Sequence, residues 1–323
     1  MKKQLISMVL MAAMTVSMLT GCKTAGGKKA EAPSSGNQAA AEAKTEDEEK
    51  ASEGGEDYSY HWKLATTESS DYYMTQLSQE FLDIVEEKTG GKVTGEVFAS
   101  GQLGGLVDAL EGLEMGNIDI VMDGVSSLSA VDDIFNVWCL PFLYDNKEHQ
   151  YRFWDNHFDE VSDMVAEQSG FRLVSVIDGM NRELASTVPV ESMADLKGLK
   201  IRVPNIPGYV RIWECLGAAP IPMSLSEVYT SIQTGVVQGQ ENDIALTLSL
   251  KFYEVAPYCV MTDHVAYEGS FYFNEEEYQS YPDELKQIIQ EAGEEIKLKS
   301  RSIIKEQETE CMKQIEDMGG TIC

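Results

Sequence analysis

The chain has 323 residues and a net charge of −29, from 54 acidic against 25 basic side chains. No basic cluster offsets this surface, which argues against a nucleic-acid partner, since phosphate binding needs Lys and Arg gathered on one face. It also repels anionic ligands at long range, so anion capture would need local, partly buried arginines, with salt screening the global field beyond about 10 Å.

At the start, Lys2 and Lys3 precede an apolar run over residues 5–19 that is too short to span a bilayer. The run ends in Leu19-Thr20-Gly21-Cys22, so residues 1–22 read as a lipoprotein signal peptide that leaves Cys22 as a lipidated N-terminus. Several acyl chains on one cysteine anchor stably where a single chain is marginal. An ordinary secretion signal is the alternative. Residues 23–57 carry few apolar side chains and the run Glu46-Asp47-Glu48-Glu49-Lys50. They read as a disordered acidic tether. Residues 58–323 are long enough for one large core or two lobes.

Within them, residues 60–64 alternate like a strand. Tyr73, Leu77, Phe81, Ile84 and Val85 recur at helical spacing, and Thr89-Gly90-Gly91 closes that helix. A strand over 93–98, the turn Gly101-Gln102-Leu103-Gly104-Gly105, a helix over 106–115 stopped by Gly116 and a strand over 118–122 follow. This β-α-β-α-β order predicts a parallel sheet with helices on its faces. Strands over 171–177, 181–186 and 200–203, with helices over 207–216 and 224–234, predict a second unit. Ser224 and Glu227 form a capping box there, and Gly235 is the stop. Near the end, Pro282-Asp283-Glu284 opens a helix with a stripe of Leu285, Ile288, Ile289, Ala292, Ile296, Ile303 and Ile304, which closes near Met318-Gly319-Gly320. It reads as a packing brace. The fold class expected is α/β and two-lobed, with a cleft between the lobes and this long C-terminal helix.

Ligands in such sheets bind beyond the carboxyl ends of strands, where Arg202 and Asn242 fall. With Arg182 they offer two guanidinium forks and a carboxamide, a set suited to a small carboxylate because each fork donates two parallel hydrogen bonds. Taken singly, Arg202 fits an ion pair as well as a ligand contact, and Arg182 fits a pair with Glu183 or another acid. Asn242 fits a helix cap, and Glu241 a partner arginine as well as a ligand hydroxyl. Tyr229 fits a ligand contact or core. Glu68, Asp71, Tyr72 and Asp123 are polar candidates on the first lobe. Cys139, Cys215, Cys259, Cys311 and Cys323 show no CxxC spacing and are odd in number, so metal and redox-motif readings are poor. Free, mostly buried thiols are expected, with a Cys311–Cys323 bridge left open. His61, His149, His157 and His264 stand in no HExxH, no GxSxG is present, and residues 101–105 lack the GK[ST] ending of a phosphate loop. Neither an enzyme, nor a metal site, nor a cofactor is therefore expected.

Ordered motifs carry a family resemblance from about Tyr60 onward: Glu87-Lys88-Thr89-Gly90-Gly91-Lys92, Ser100-Gly101-Gln102-Leu103-Gly104, Leu140-Pro141-Phe142-Leu143, Asp195-Leu196-Lys197-Gly198-Leu199-Lys200-Ile201-Arg202-Val203-Pro204, Ser226-Glu227-Val228-Tyr229, and Gln240-Glu241-Asn242 followed by Lys251-Phe252-Tyr253-Glu254-Val255. In these the chain resembles the DctP-type solute-binding proteins of tripartite ATP-independent periplasmic (TRAP) transporters. The resemblance implies that residues 58–323 are a solute-binding domain outside the cytoplasm, with a two-lobed periplasmic-binding-protein-like fold and a hinge between the lobes. It further implies that Arg202 clamps a ligand carboxylate, helped by Arg182 and Asn242, and that the loaded protein docks on ion-driven membrane permease subunits. The family commonly has aspartate where Gln238 stands and a bulky aromatic where Leu225 stands. Sialate-binding members carry acids where Leu106 and Gly124 stand. Sialate is thus a poor fit, and a sugar acid such as a uronate is favoured over a C4-dicarboxylate. Family members usually continue past Cys323, so a reduced or missing C-terminal packing segment is expected. The alternatives are the binding protein of an ATP-driven importer and a sensor-receptor subunit.

Overall fold

The computed structural model describes residues 58–323; the expected signal peptide with Cys22 and the tether over 23–57 lie outside these residues. The first unit is β1 (Tyr60–Ala65), α1 (Tyr73–Lys88), β2 (Val93–Phe98), α2 (Leu106–Glu114) and β3 (Ile120–Gly124), in the expected order. β1 pairs in parallel with both β2 and β3. The α1 stripe buries Tyr73, Leu77, Phe81 and Val85, while Ile84 is half-buried. Gly90 and Gly91 leave this helix with φ of 63° and 81°, a region that glycine enters without steric cost.

Two 3-10 segments (Val125–Ala130 and Asp133–Cys139) lead to α3 (Lys147–Ser169), which the sequence reading had not placed. Asn146 caps it by accepting from the His149 N–H, and Gly170 ends it with φ of 74°. β4 (Phe171–Ser186) then runs unbroken for 16 residues where two strands were expected. Register shifts at 174–177 and 178–181 interrupt the alternation, which is why the sequence reads as two pieces. β5 (Lys200–Val203), α4 (Pro207–Cys215), β6 (Ala219–Pro222), α5 (Val228–Gln233), β7 (Gly239–Asn242) and α6 (Ile244–Ser249) make the second unit. The helix expected over 224–234 is a 3-10 turn (Leu225–Glu227) running into the shorter α5. The Glu227 carboxylate does accept from the Ser224 N–H, at 3.1 Å. Asn242 is not a cap; Asp243 takes that place, its Oδ1 accepting from Leu246 N–H at 2.9 Å.

β8 (Tyr258–Asn274), α7 (Glu275–Ser280), α8 (Asp283–Asp317) and the short β9 (Thr321–Ile322) complete the order. Strand order is β2-β1-β3-β8-β4-β7-β5-β6, with β9 on β8. The two lobes lie at the ends of this order. β1, β2 and β3 continue the sheet from the later half of β8, and β5, β6 and β7 continue it from the later half of β4. The antiparallel pair β4 and β8 passes through both lobes and connects them. α8 braces the pair at its back. Leu285, Ile289, Ala292, Ile296 and Ile304 are buried against α1, β4 and α6, the larger ones worth about 2 kcal/mol each. All five cysteines among the described residues are free. Only Cys139 and Cys259 are buried, against the expectation of mostly buried thiols; Cys215 and Cys323 are exposed and Cys311 is half-buried.

Candidate binding site

The neighbours of Arg202 explain its position. Ile201 and Val203 are fully buried on one face of β5, which sits between β6 and β7, and Arg202 between them turns to the other face, toward the cavity. It is 3% exposed. Nε and Nη2 both donate to the Met223 carbonyl, at 3.1 and 2.9 Å. Among the described residues no carboxylate pairs with it. Burial lowers its pKa to about 10, with the fields of Glu241 and Asp123 opposing that shift, so it stays a cation at neutral pH. A buried cation without a counter-ion is costly, and an incoming anion would relieve the cost.

Arg182 is satisfied from within. On β4, opposite β7, its Nε donates to Glu241 Oε2 at 2.6 Å and its Nη2 to Glu241 Oε1 at 2.9 Å. Nη2 also reaches the Asn242 carboxamide oxygen at 2.8 Å. The rings of Tyr209 and Tyr267 flank its guanidinium at 4.8 and 5.3 Å. Burial works against its charge, but Glu241 and these contacts keep it firmly cationic. Burial also penalises the Glu241 carboxylate, yet Arg182 and His264 hold it below the usual range. Of the two readings open for Glu241, partner arginine and ligand hydroxyl, the geometry supplies the first; the residue is fully buried behind the cavity. Asn242 donates through Nδ2 to Gln240 Oε1 at 2.7 Å, which leaves one amide hydrogen uncommitted.

Both arginines and Asn242 line a cavity of about 230 Å³ between the lobes, somewhat below the roughly 300–1,000 Å³ of drug-sized pockets. The facing wall comes from the first lobe. Glu68 lies beyond β1, Asp123 is the last residue but one of β3, and Ser126 and Ser127 follow in the 3-10 segment. Asp123 Oδ1 accepts from Gly124 N–H at 2.7 Å and from the Ser127 hydroxyl at 2.6 Å. Burial raises its pKa, against these bonds and the arginine fields. Ser126 and Tyr209 hydroxyls meet at 3.0 Å, and both line the cavity, so the two lobes touch at its wall. One end is therefore cationic and the other is acidic and hydroxyl-rich.

Tyr229 is not brought to this cavity; its hydroxyl bonds Glu254 Oε2 at 2.7 Å on the surface of the second lobe. Asp71 is exposed outside the lining, and Tyr72 turns its hydroxyl to Asp243 Oδ2 at 2.7 Å. Leu106 and Leu225 line the cavity. Gly124 packs so closely on Tyr267 that a Cβ there would lie 2.3 Å from the ring, so no acidic side chain fits that backbone. The sequence reading missed Tyr209, Tyr267, Ser126 and Asp243. Only Asp243 left a signal, as a capping residue directly before the apolar start of α6.

Residues 64–323 match the family model described as bacterial extracellular solute-binding protein, family 7 (DctP). The chain belongs to this family. A Roseobacter denitrificans solute-binding protein is 37% identical over 178 residues, 55% of this chain and 54% of that one, so this alignment spans about half of either protein. Its solved structure, a TRAP periplasmic solute-binding protein with bound L-galactonate, superposes with a TM-score of 0.78 over 82% of this chain and 88% of its own, at 28% identity. The sialic acid-binding protein SiaP of Vibrio cholerae is 31% identical over 71% of each chain. A TRAP periplasmic solute-binding protein of a Sulfitobacter species, solved with β-D-galacturonate, is 29% identical and superposes with a TM-score of 0.77 over 81% of this chain and 88% of that one. This family 7 protein is thus a TRAP-type extracytoplasmic solute-binding protein with a two-lobed α/β fold. No helix among the described residues is long and apolar enough to cross a membrane.

Proposed function

We propose that the protein captures a sugar monocarboxylate, a hexuronate or an aldonate, and hands it to the ion-driven permease subunits of a TRAP transporter. The observation that carries the reading is Arg202, a buried guanidinium in the cavity wall with no carboxylate of its own. A ligand carboxylate completes it, and the spare Asn242 amide hydrogen adds a donor. The acidic, serine-lined wall opposite then meets hydroxyls. A C4-dicarboxylate would set its second anion against the first-lobe wall, where Asp123 stands and, among the described residues, no further arginine is present to receive it. Two solved relatives carry galacturonate and L-galactonate, ligands of this shape and charge. Leu106 in the lining and the blocked Gly124 position remove two places from which an acid would meet a larger sialate. Binding closes the lobes about β4 and β8, because the ligand contacts both walls only in the closed form. The protein turns over no substrate, and Cys22 tethers it to the membrane through residues 23–57.

A thermal-shift screen against D-galacturonate, D-glucuronate, L-galactonate, succinate, sialic acid and galactose tests the ligand. A ligand at about 100 times its dissociation constant adds roughly 2.7 kcal/mol, a readable shift. Shifts with sugar acids and none with galactose or succinate support the reading. A shift with succinate alone overturns it. Cys22→Ser releasing the protein from the membrane fraction supports the anchor; retention of the variant there refutes it.

A further inference from the structure

We propose that Glu68 binds the ligand as a neutral carboxylic acid, so that sugar-acid binding takes up a proton and weakens as pH rises; this rests on the sugar-acid reading above. Glu68 lines the cavity and is 4% exposed. Its Oε1 accepts one long bond, from the Tyr267 hydroxyl at 3.3 Å. Its Oε2 is buried and has no partner among the described residues. An ionised carboxylate with one weak donor is poorly solvated, whereas a protonated one places an O–H beside the ligand.

The groups around it point the same way. Asp123 faces it from the end of β3 and Asp243 from the turn before α6. Tyr267 faces it from β8, Tyr72 and Tyr73 from the start of α1, and Arg182 from β4. Arg182 is the cation of this set, and Glu241 already holds it. Asp123 has the Gly124 N–H and the Ser127 hydroxyl, and Asp243 has the Tyr72 hydroxyl and the Leu246 N–H. Glu68 has the weakest support of the three carboxyls, so it is the one that takes the proton. Burial first, then the fields of Asp123 and Asp243, push it well above the ordinary carboxyl range. Opening the lobes hydrates it and brings it back toward that range. Closure over a ligand then draws a proton from solvent onto a Glu68 oxygen, and the resulting O–H donates to a ligand hydroxyl or ring oxygen. The proton also removes a negative charge that an incoming anion would otherwise oppose. This answers the conflict between a strongly acidic protein and an anionic ligand at the place where distance no longer screens it.

Calorimetry of D-galacturonate binding to the full chain, in phosphate and in Tris at the same pH, reads the proton directly. The expected result is a buffer-dependent heat equal to about one proton taken up, with affinity falling about tenfold per pH unit above the open-state value of Glu68. Glu68→Gln keeps the shape and a donor but cannot titrate. It is expected to lose the buffer-dependent heat and to bind more tightly than wild type at high pH. Binding with no pH dependence and no buffer-dependent heat overturns the proposal and leaves the sugar-acid reading standing, and this wild-type result needs no variant to fold. Proton uptake that persists in Glu68→Gln moves the proton to another group and also overturns it. No binding of any sugar acid at any pH sinks both readings.

Discussion

Nε of Arg182 lies 2.6 Å from Oε2 of Glu241, and both side chains are buried. The bond divides the labour between the two arginines of the cavity. Arg182 is neutralised and oriented by β7, and it fixes Asn242 through a second bond at 2.8 Å. Arg202 keeps its charge unspent. One fork thus builds the floor of the site, and the other is left for the ligand.

Removing Glu241 should therefore damage the fold before it damages recognition. Glu241→Ala leaves the Arg182 cation buried with only carbonyl and carboxamide acceptors, and also takes away the carboxylate near His264 Nε2, at 3.3 Å. Breaking a buried pair from one side costs about 3–5 kcal/mol. Denaturant unfolding measures this. A midpoint unchanged from wild type would show that the pair contributes no net stability.

Arg202→Ala should do the reverse. With no carboxylate partner to strand, the ligand-free protein should melt no lower than wild type, and higher if the lone charge is a net burden. Affinity for a sugar acid should drop by about 2–5 kcal/mol, the range for losing one side of a buried charge-assisted contact. Arg202→Lys should recover only part of it, since an ammonium lacks the planar fork. Calorimetry on both variants tests the assignment, and galacturonate affinity within a few-fold of wild type in Arg202→Ala would end it.

How much of this was legible beforehand depended on where local signals outweighed burial. The first β-α-β-α-β unit was readable because Gly90, Gly91 and Gly116 punctuate it with positive φ, and α1 has one apolar stripe. β4 was read as two strands because its bulges, at 174–177 and 178–181, shift the period of two. α3 went unseen because Gln150 and Ser162 stand among its buried positions Trp154, Val161, Val165 and Ala166, which breaks the apolar stripe. Arg202 could be named, yet whether its fork was free or paired depends on Met223 and on the reach of each acid, and no local pattern carries that. Tyr209 and Tyr267 carried no sequence signal of their own; both are buried, and their role comes from the Arg182 guanidinium between them.

Stability should fall as pH rises toward about 8. Glu183 on β4 is 2% exposed. Its Oε2 accepts from Asp263 N–H at 2.8 Å and Thr262 Oγ1 at 3.3 Å, while its Oε1 has no partner among the described residues. Burial raises its pKa to about 8, against an unfolded value of about 4.3. A folded value above the unfolded one means the neutral carboxyl stabilises the fold fully below about pH 4.3, and that contribution drains away as pH climbs through the folded value. Burial raises Glu268 as well, but it also lowers the nearby Lys147, which acts in the opposite sense, so Glu183 is the group that isolates the effect. Melting temperatures of wild type and Glu183→Gln across about pH 5 to 9 check this. The variant should lose less stability over the window, and parallel curves would remove Glu183 as a cause.

The last prediction concerns the brace. Arg301 reaches from α8 to Asp178 at the β4 bulge, Nε to Oδ2 at 2.6 Å, and to Asp155 on α3 at 2.8 Å. Asp178 is fully buried, its N–H donates to Ser300 Oγ at 3.0 Å, and its Oδ1 has no partner among the described residues. One arginine thus ties three elements together at the irregular point of a strand that runs through both lobes. Arg301→Ala strands the Asp178 carboxylate and should cost about 3–5 kcal/mol. Arg301→Ala combined with Asp178→Asn should recover much of that, because the uncompensated charge goes with its partner. Partial recovery in the double variant identifies the stranded charge as the cause. Equal loss in the single and double variants would instead assign the cost to packing of the Arg301 stem between α8 and Tyr151, whose ring lies 4.5 Å from the guanidinium.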